Sequence, residues 1–477
     1  MKRVQITAVS AAGPEDNLLI LAGKDELDLL KDWLSLNEYD FLRQAVSRGT
    51  GHFFFARGSS AVFVKILKQD KDEHAAREDA RLAGSDMLKE LRHYKIETVT
   101  IRNACSTDRS LYFAEGMALG SYQFLKHFSN PSKKEKPLRE IVIECDGGGI
   151  EEMNAVLDAV FMTRDLVNEP WSHQNTLQFA DAVGEAAQKA GFSVEILEKE
   201  QITALKMGGL LAVNKASSVP PRFCILEWKP ENAGNKKPVI LIGKGVVYDT
   251  GGLSLKPSDG MDYMKCDMAG AAAVVGVLAA ISSTSMPMHV IGLIPVTDNK
   301  IGEQAIAPGD VITMSSGTTV EVVNTDAEGR LILADALHFA RQYDPALVID
   351  LATLTGAAVR ALGNQVICYM GTASKKTKSE IEQSGFHTYE RLVELPLWRE
   401  FGDDLKSHIA DLKNVGSSNA GMIAAGKFLE HFTKFPWLHL DIAGPAYLRT
   451  ANGYRTKEGT GVGVRLIYDF LKNFVHE

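Results

Sequence analysis

The sequence predicts an α/β protein, with a small N-terminal α/β domain joined by a helix to a larger C-terminal α/β domain built on a mainly parallel central sheet. Three observations predict it. Apolar, strand-like runs alternate with segments of 3.6-residue periodicity along most of the chain. The runs in the C-terminal part are Val/Ile/Leu stretches without polar alternation, as expected of strands covered on both faces. At 477 residues the chain also exceeds what one hydrophobic core usually organises, so more than one domain is expected.

Residues 1–150 form the expected first domain, with strands at 18–21, 61–64, 98–101 and 140–143 and helices between them. No cluster of His, Asp, Glu or Cys stands out there, so its expected role is structural or in oligomerisation. Ser129-Asn130-Pro131-Ser132 and Lys133-Lys134-Glu135-Lys136 mark an exposed connection before the last of these strands. A helix follows, because Met153, Val156, Leu157, Val160 and Val167 repeat at helical spacing while Ala159, Met162 and Leu166 add a second apolar stripe. A helix apolar on two sides packs against two bodies, which makes 151–172 the expected connector.

Residues 173–477 form the expected catalytic domain. Helices are expected at 176–190 and 199–205 and from about 268, 331 and 377, with strands at 193–196, 222–228, 238–242, 289–296 and 346–350. No internal repeat or low-complexity segment interrupts the pattern.

Composition narrows the class. With 45% hydrophobic and 23% charged residues the chain reads as a globular protein, and its net charge of −8 with no long basic run gives no reason to expect nucleic acid as the main partner. Cys105, Cys145, Cys224, Cys266 and Cys368 are odd in number and scattered, which suggests neither a disulfide framework nor a zinc ribbon. Residues 1–7 make a poor signal peptide, and the longest apolar run, 270–281, falls short of the roughly 20 residues of a membrane span. A cytoplasmic setting without membrane attachment is the expectation.

Chemistry concentrates in two stretches. Asn324-Thr325-Asp326-Ala327-Glu328-Gly329-Arg330-Leu331 is a charged loop between a short apolar strand (Val320, Val322, Val323) and a helix rich in strong helix formers. Upstream, Gly243-Lys244-Gly245 leads to Tyr248-Asp249-Thr250-Gly251-Gly252, Lys256 and Asp267. Lys244 follows a buried strand, yet no GxxxxGK[ST] phosphate loop surrounds it. Asp267 taken alone reads as an acidic residue at a helix start, favoured there by the helix dipole. Together, however, Asp249, Asp267, Asp326 and Glu328 are four carboxylates at strand ends and helix starts of one domain. An oxygen-rich set without histidine suits hard or borderline divalent ions, and this many carboxylates suits two of them. Two such ions share a carboxylate, activate a water and hold a developing tetrahedral oxygen. A lysine amine ligates only when neutral, which burial and nearby dications both favour. Arg330 stays charged and is suited to hold an anion or a polarised group. The twelve histidines include no HExxH or paired spacing, so His338 and His439 read as helix-face and core residues. Cys266 reads as an inert buried thiol, Asp298 as a possible support behind the ligands, and Asp441 as a hydrogen-bonded support near a pocket wall.

These two stretches resemble those of the leucyl aminopeptidases, the M17 family of two-metal exopeptidases, and the octapeptide 324–331 matches the family signature in full. Leu351-Ala352-Thr353-Leu354-Thr355-Gly356-Ala357, Ile409-Ala410-Asp411-Leu412-Lys413-Asn414 and His439-Leu440-Asp441-Ile442-Ala443-Gly444 are similar to the family as well, so the resemblance spans roughly 160–477. It implies two divalent ions, Mn²⁺ or Zn²⁺. The tight one would be held by Lys244, Asp249, Asp267 and Glu328, and the exchangeable one by Asp249, Asp326 and Glu328. It implies Lys256 as donor to the oxyanion and Arg330 as holder of a bicarbonate general base. It also implies Met264, Asn324, Thr353, Leu354 and Gly356 as the pocket for the first residue, made apolar by Met264 and Leu354. The activity so implied is release of apolar N-terminal residues such as Leu and Met from peptides with a free N-terminus, by a homohexamer. Tyr248 and Thr250 depart mildly from the Phe and Ser of many relatives. Two rival readings are a two-metal phosphohydrolase or nuclease, disfavoured by the lysine and by the lack of a phosphate cradle, and a secondary DNA-binding or regulatory role.

Overall fold

The computed structural model describes residues 3–474 other than Pro14 and Gln69, so the start of the 1–7 segment lies outside the described residues. The chain forms two compact units. One runs to Asp158 and takes in Thr450–Lys457, and the other comprises Ala159–Arg449 and the residues from Glu458 on.

The first unit carries a six-stranded sheet of β1 (Gln5–Val9), β2 (Leu18–Gly23), β3 (His52–Arg57), β4 (Ser60–Leu67), β5 (Thr98–Ala104) and β6 (Glu140–Glu144), in the order β1-β6-β5-β2-β4-β3. All its pairs are parallel except β3 with β4. Helices α1 (Leu36–Ser47), α2 (Glu73–His93) and α3 (Ser110–Ser121) complete it. The four strands expected from apolar runs are β2, β4, β5 and β6. The two not anticipated, β1 and β3, are the sheet edges, where one side of the strand meets solvent and the apolar run is broken. Helix α4 (Ile150–Asn168), expected as the connector, runs through the division between the units.

The second unit is organised on the strands β7 (Ser193–Leu197), β8 (Arg222–Trp228), β9 (Val239–Gly243), β10 (Gly245–Asp249), β11 (Val290–Asn299), β14 (Leu347–Ala352), β15 (Ile367–Gly371), β16 (Leu392–Glu394) and β18 (Trp437–Asp441). Their order is β16-β15-β18-β14-β9-β11-β8-β7, with β10 paired to the far end of β11. The centre, β18-β14-β9-β11, is parallel, and β15, β8 and β7 join antiparallel. A small sheet of β12 (Val311–Thr313), β13 (Thr319–Glu321) and β17 (Leu412–Lys413) lies beside it in the chain order. The helices are α5 (Thr176–Ala190), α6 (Lys199–Ala204), α7 (Gly208–Asn214), α8 (Ser258–Met261), α9 (Ala269–Ser283), α10 (Gly329–Ala340), α11 (Gly356–Leu362), α12 (Lys375–Thr388), α13 (Gly421–Glu430) and α14 (Val464–Asn473).

Two helices position the chemistry. Helix α9 is Ala, Gly and Val almost throughout and is buried on every side, because its small residues let it lie against β9 and β14. The segment Ser258–Ser283 that contains it is long and apolar enough to cross a membrane, but its most apolar 18-residue stretch is 94% buried within the fold, as a core helix is. Helix α10 buries Leu331, Leu333 and Leu337 with Ile240, Ile242, Leu293, Val348 and Trp437 in one apolar core. Each such side chain contributes about 1.5–3 kcal/mol on burial. Both helices are thus fixed, and so are the loops at their N-termini. Those loops meet the carboxyl ends of β9, β10, β11, β14 and β18, where open α/β sheets hold their ligands.

Candidate metal centre

Lys244 stands between β9 and β10. Its backbone N–H donates to the Leu351 carbonyl (3.0 Å) and its carbonyl accepts from the Ala271 N–H (3.0 Å), so β14 and the first turn of α9 both grip it. The side chain is buried, and Nζ lies 2.7 Å from Asp267 Oδ1, 2.9 Å from Glu328 Oε1 and 3.0 Å from the Thr353 carbonyl. An ammonium has three donors, and all are engaged. The lysine reaches this position by crossing Gly329: a Cβ there would fall 2.4 Å from Lys244 Cε, so the signature glycine is required by the lysine.

Asp249 ends β10. Its Oδ1 accepts from the Gly251 N–H and from Asn299 Nδ2, both at 2.8 Å, and its Oδ2 lies 2.7 Å from Lys256 Nζ. The same Nζ is 2.5 Å from Asp326 Oδ1. The glycine-rich turn after β10 is braced against the signature loop. Thr325 Oγ1 donates to the Gly251 carbonyl (2.6 Å) and accepts from the Ser254 N–H (2.8 Å). Gly252, at φ +64, fits beneath them because a Cβ would come within 2.9 Å of both Asn299 Oδ1 and Thr325 Oγ1. From the other side Asn414, wholly buried after β17, accepts from the Val323 N–H (2.8 Å) and donates to the Asn324 carbonyl (2.7 Å). Arg330 Nη1 donates to the Asn414 carbonyl at 2.7 Å.

Burial and charge act together here. Loss of solvent and the nearby Glu328 push the Asp249 carboxyl up to about 6, with Lys256 and Lys244 opposing. Asp267 is likewise raised by burial against the pull of Lys244, and Asp326 by burial and by Glu328. Glu328 goes the other way: burial would raise it, but Lys244 and Lys256 outweigh burial and hold it ionised. Burial pushes the Lys244 ammonium toward neutrality, yet Asp267, Glu328 and Asp249 together keep it charged. Burial lowers Arg330 to about 10, which leaves it a cation at neutral pH.

The donor set fits divalent ions. Asp249, Asp326 and Glu328 offer oxygens all within 4.8 Å of one another. Asp267 Oδ2 and Glu328 Oε2 are buried and have no hydrogen-bond donor among the described residues, a costly arrangement unless a cation takes them up. All five expected ligands therefore meet, and Lys256 meets them too. Of the expected pocket residues, Thr353 is at the centre, since its Oγ1 donates to Asp267 Oδ1 (2.8 Å) and its carbonyl accepts from Lys244. Asn324 lies within the signature loop, its Oδ1 accepting from the Asp326 N–H (2.8 Å). The Met264 carbonyl accepts from the Asp267 N–H (3.3 Å). The Leu354 N–H donates to Asp441 Oδ1 (3.2 Å), and Gly356 opens α11 in an exposed position.

Asp441 also accepts from Thr355 Oγ1 at 2.7 Å and so pins the loop that bears Thr353 and Leu354. The Cys266 thiol is buried and pushed up to about 12 by burial, which keeps it protonated and inert. His439 is a core residue, its Nδ1 2.6 Å from Asp350 Oδ1, and His338, on α10, pairs with Ser315. Asp298 does not touch the ligands through any hydrogen bond among the described residues, and Trp171 Nε1 donates to it at 3.1 Å instead. The support behind Asp249 is its neighbour Asn299. Sequence reasoning passed over Asn299 because it carries no charge, although its place at the end of a long buried strand beside Asp298 was a usable signal.

The profile of the cytosol aminopeptidase family, catalytic domain, matches residues 161–468. A probable cytosol aminopeptidase of Chlorobaculum tepidum is 46% identical over 377 residues, 76% of this chain and 74% of that protein. One from Chloroherpeton thalassium is 40% identical over 427 residues, 87% of this chain and 83% of its own. Among solved structures, a point mutant of tomato leucine aminopeptidase superposes with a TM-score of 0.86 at 28% identity, over 99% of this chain and 97% of that one. The bottromycin maturation enzyme BotP in complex with Mn gives 0.84 at 30% identity, over 96% and 99%.

Proposed function

This chain belongs to the cytosol aminopeptidase family and is a peptidase hydrolase, and from that premise we propose that it releases apolar N-terminal residues, leucine and methionine among them, from peptides with the aid of two divalent ions. The observation that carries this reading is the convergence of Lys244, Asp249, Asp267, Asp326 and Glu328, with carboxylate oxygens of Asp267 and Glu328 buried and unpaired. Lys244, once an entering dication displaces its proton, would hold the tighter ion with Asp249, Asp267 and Glu328, and Asp249, Asp326 and Glu328 would hold the exchangeable one. Mn²⁺ or Zn²⁺ suits this mixed set of oxygens and one amine. Bound there, the ions would polarise the scissile carbonyl, lower the pKa of a water, and offer a free α-amine a coordination place that an amide nitrogen fills poorly.

The rest is the chain's own work. Lys256, kept charged by Asp249, Glu328, Asp267 and Asp326 against the effect of burial, would donate to the oxygen on which negative charge develops. Arg330, buried and with Nε unpaired among the described residues, would hold a small anion such as bicarbonate beside the reacting water. Thr353 and Asn324 would line the pocket for the first residue, and Met264, Leu354 and Gly356 would complete it, with Met264 and Leu354 making it apolar. A homohexamer in the cytoplasm, with 1–150 serving structure or assembly and 173–477 catalysis, fits the relatives' family.

Hydrolysis of leucine p-nitroanilide beside its N-acetyl, methionyl, lysyl and aspartyl counterparts tests this. The leucyl and methionyl substrates are expected to turn over, the acidic and basic ones at least about tenfold less well, and the acetylated one not at all. Comparable cleavage of the acetylated substrate would remove the free-amine requirement and with it the proposal.

A further inference from the structure

We infer that Asn299 is a positioning residue of the metal centre, holding Asp249 so that it presents Oδ2 alone and fixing its spacing to Asp326. The inference rests on the two-ion reading above and goes beyond it. Asp249 and Asn299 are register partners at the carboxyl ends of the parallel strands β10 and β11. Asn299 is only 3% exposed. Its Nδ2 donates to Asp249 Oδ1 at 2.8 Å and to the Thr325 carbonyl at 3.0 Å, so both amide hydrogens are used. Its own backbone carbonyl accepts from the Thr250 N–H (3.0 Å) and from Thr250 Oγ1 (2.8 Å), which anchors the turn after Asp249 as well.

The consequence concerns which oxygens are free. The Gly251 N–H joins Asn299 on Asp249 Oδ1, so both lone pairs of that oxygen are taken within the protein. Oδ2 receives no amide donor among the described residues and faces Lys256. A carboxylate held this way would offer Oδ2 and not Oδ1 to the ions. Freed from Asn299, it could turn and grip one ion with both oxygens, at the expense of the other. The second hydrogen bond couples this to the next ligand, because Thr325 immediately precedes Asp326. One neutral side chain therefore sets the relation between a ligand on β10 and a ligand on the signature loop. An amide serves where a lysine or arginine would not, since it directs the oxygen without adding a charge to compete with the ions.

The test is calorimetric titration of Mn²⁺ into the metal-free full-length protein, alongside Asn299→Leu, which keeps the volume and removes the donor, and Asn299→Ser, which leaves room for a water to replace Nδ2. The wild type is expected to take up two ions. Asn299→Leu is expected to keep the first ion and to bind the second about 10–100-fold more weakly, with Asn299→Ser in between and both metal-free variants still unfolding cooperatively. Reloading with Co²⁺ should show a changed visible absorption in Asn299→Leu. Wild-type affinity for both ions in both variants would overturn the role of Asn299 while leaving the two-ion reading intact. So would a loss of both ions in step with a fall in metal-free stability, the mark of a merely structural residue. If Asn299→Leu does not fold, Asn299→Ser decides between these outcomes. A wild type that takes up no second ion would overturn the two-ion reading, and this inference with it.

Discussion

Glu328→Ala is expected to abolish turnover and to leave neither ion bound at stoichiometric levels. Glu328 is buried, one oxygen lies 2.9 Å from Lys244 Nζ, and the other has no donor among the described residues. It also belongs to the group with Asp249 and Asp326. It therefore borders the ligands proposed for both ions, a place it shares only with Asp249 in the proposed ligand sets. The metal-free variant should still unfold cooperatively near the wild-type temperature. Removing one of four crowded carboxylates relieves the repulsion that raises Asp249 and Asp326, which offsets the partner lost by Lys244. Metal analysis of the purified variant, beside its rate on leucine p-nitroanilide, checks this. Two ions retained with wild-type turnover would show that Glu328 is no ligand.

Lys256→Ala is the second large effect, and it should split metal from rate. Lys256 is not one of the proposed ligands, and its Nζ contacts Asp249 and Asp326 from the side where the turn after β10 meets the signature loop. As an oxyanion donor it would act on the transition state more than on bound substrate, so kcat should fall by about 10²–10³ with KM changed little. Both ions should remain. Loss of an ion, or an unchanged kcat, would move Lys256 out of the reacting centre.

Much of this was legible in the sequence where local signals and burial agree. Helix α5 runs from Thr176 to Ala190 as expected because Asn175 and Gln178 form a reciprocal cap at its start and Gly191 closes its end. The convergence of the carboxylates was legible because carboxylates next to glycines, at the ends of apolar runs, have few other reasons to cluster. Strand β10 was not. Its flanking Gly243 and Gly245 suggested a loop, yet they are there for close approach, a Cβ on Gly243 falling 2.5 Å from Ala271 Cα and one on Gly245 the same distance from the Pro295 carbonyl oxygen. Strand β18 escaped for a related reason. His439 and Asp441 interrupt its apolar run, but both are buried in hydrogen bonds, to Asp350 and to Thr355, that only the folded sheet supplies. The supports of the centre, Asn299 and Asn414, were hidden in the same way: neutral amides declare their role only when their partners from distant segments are in place.

The central claim is that the converged carboxylates and Lys244 form a working two-ion centre. Its most direct test is the rate on leucine p-nitroanilide before chelation, after it, and after return of Mn²⁺, Zn²⁺ or Mg²⁺, with bound metal counted at each stage. The account predicts that activity falls to background as the ions leave and returns with Mn²⁺ or Zn²⁺ as occupancy approaches two per chain. Full activity in protein shown to be free of metal would contradict it.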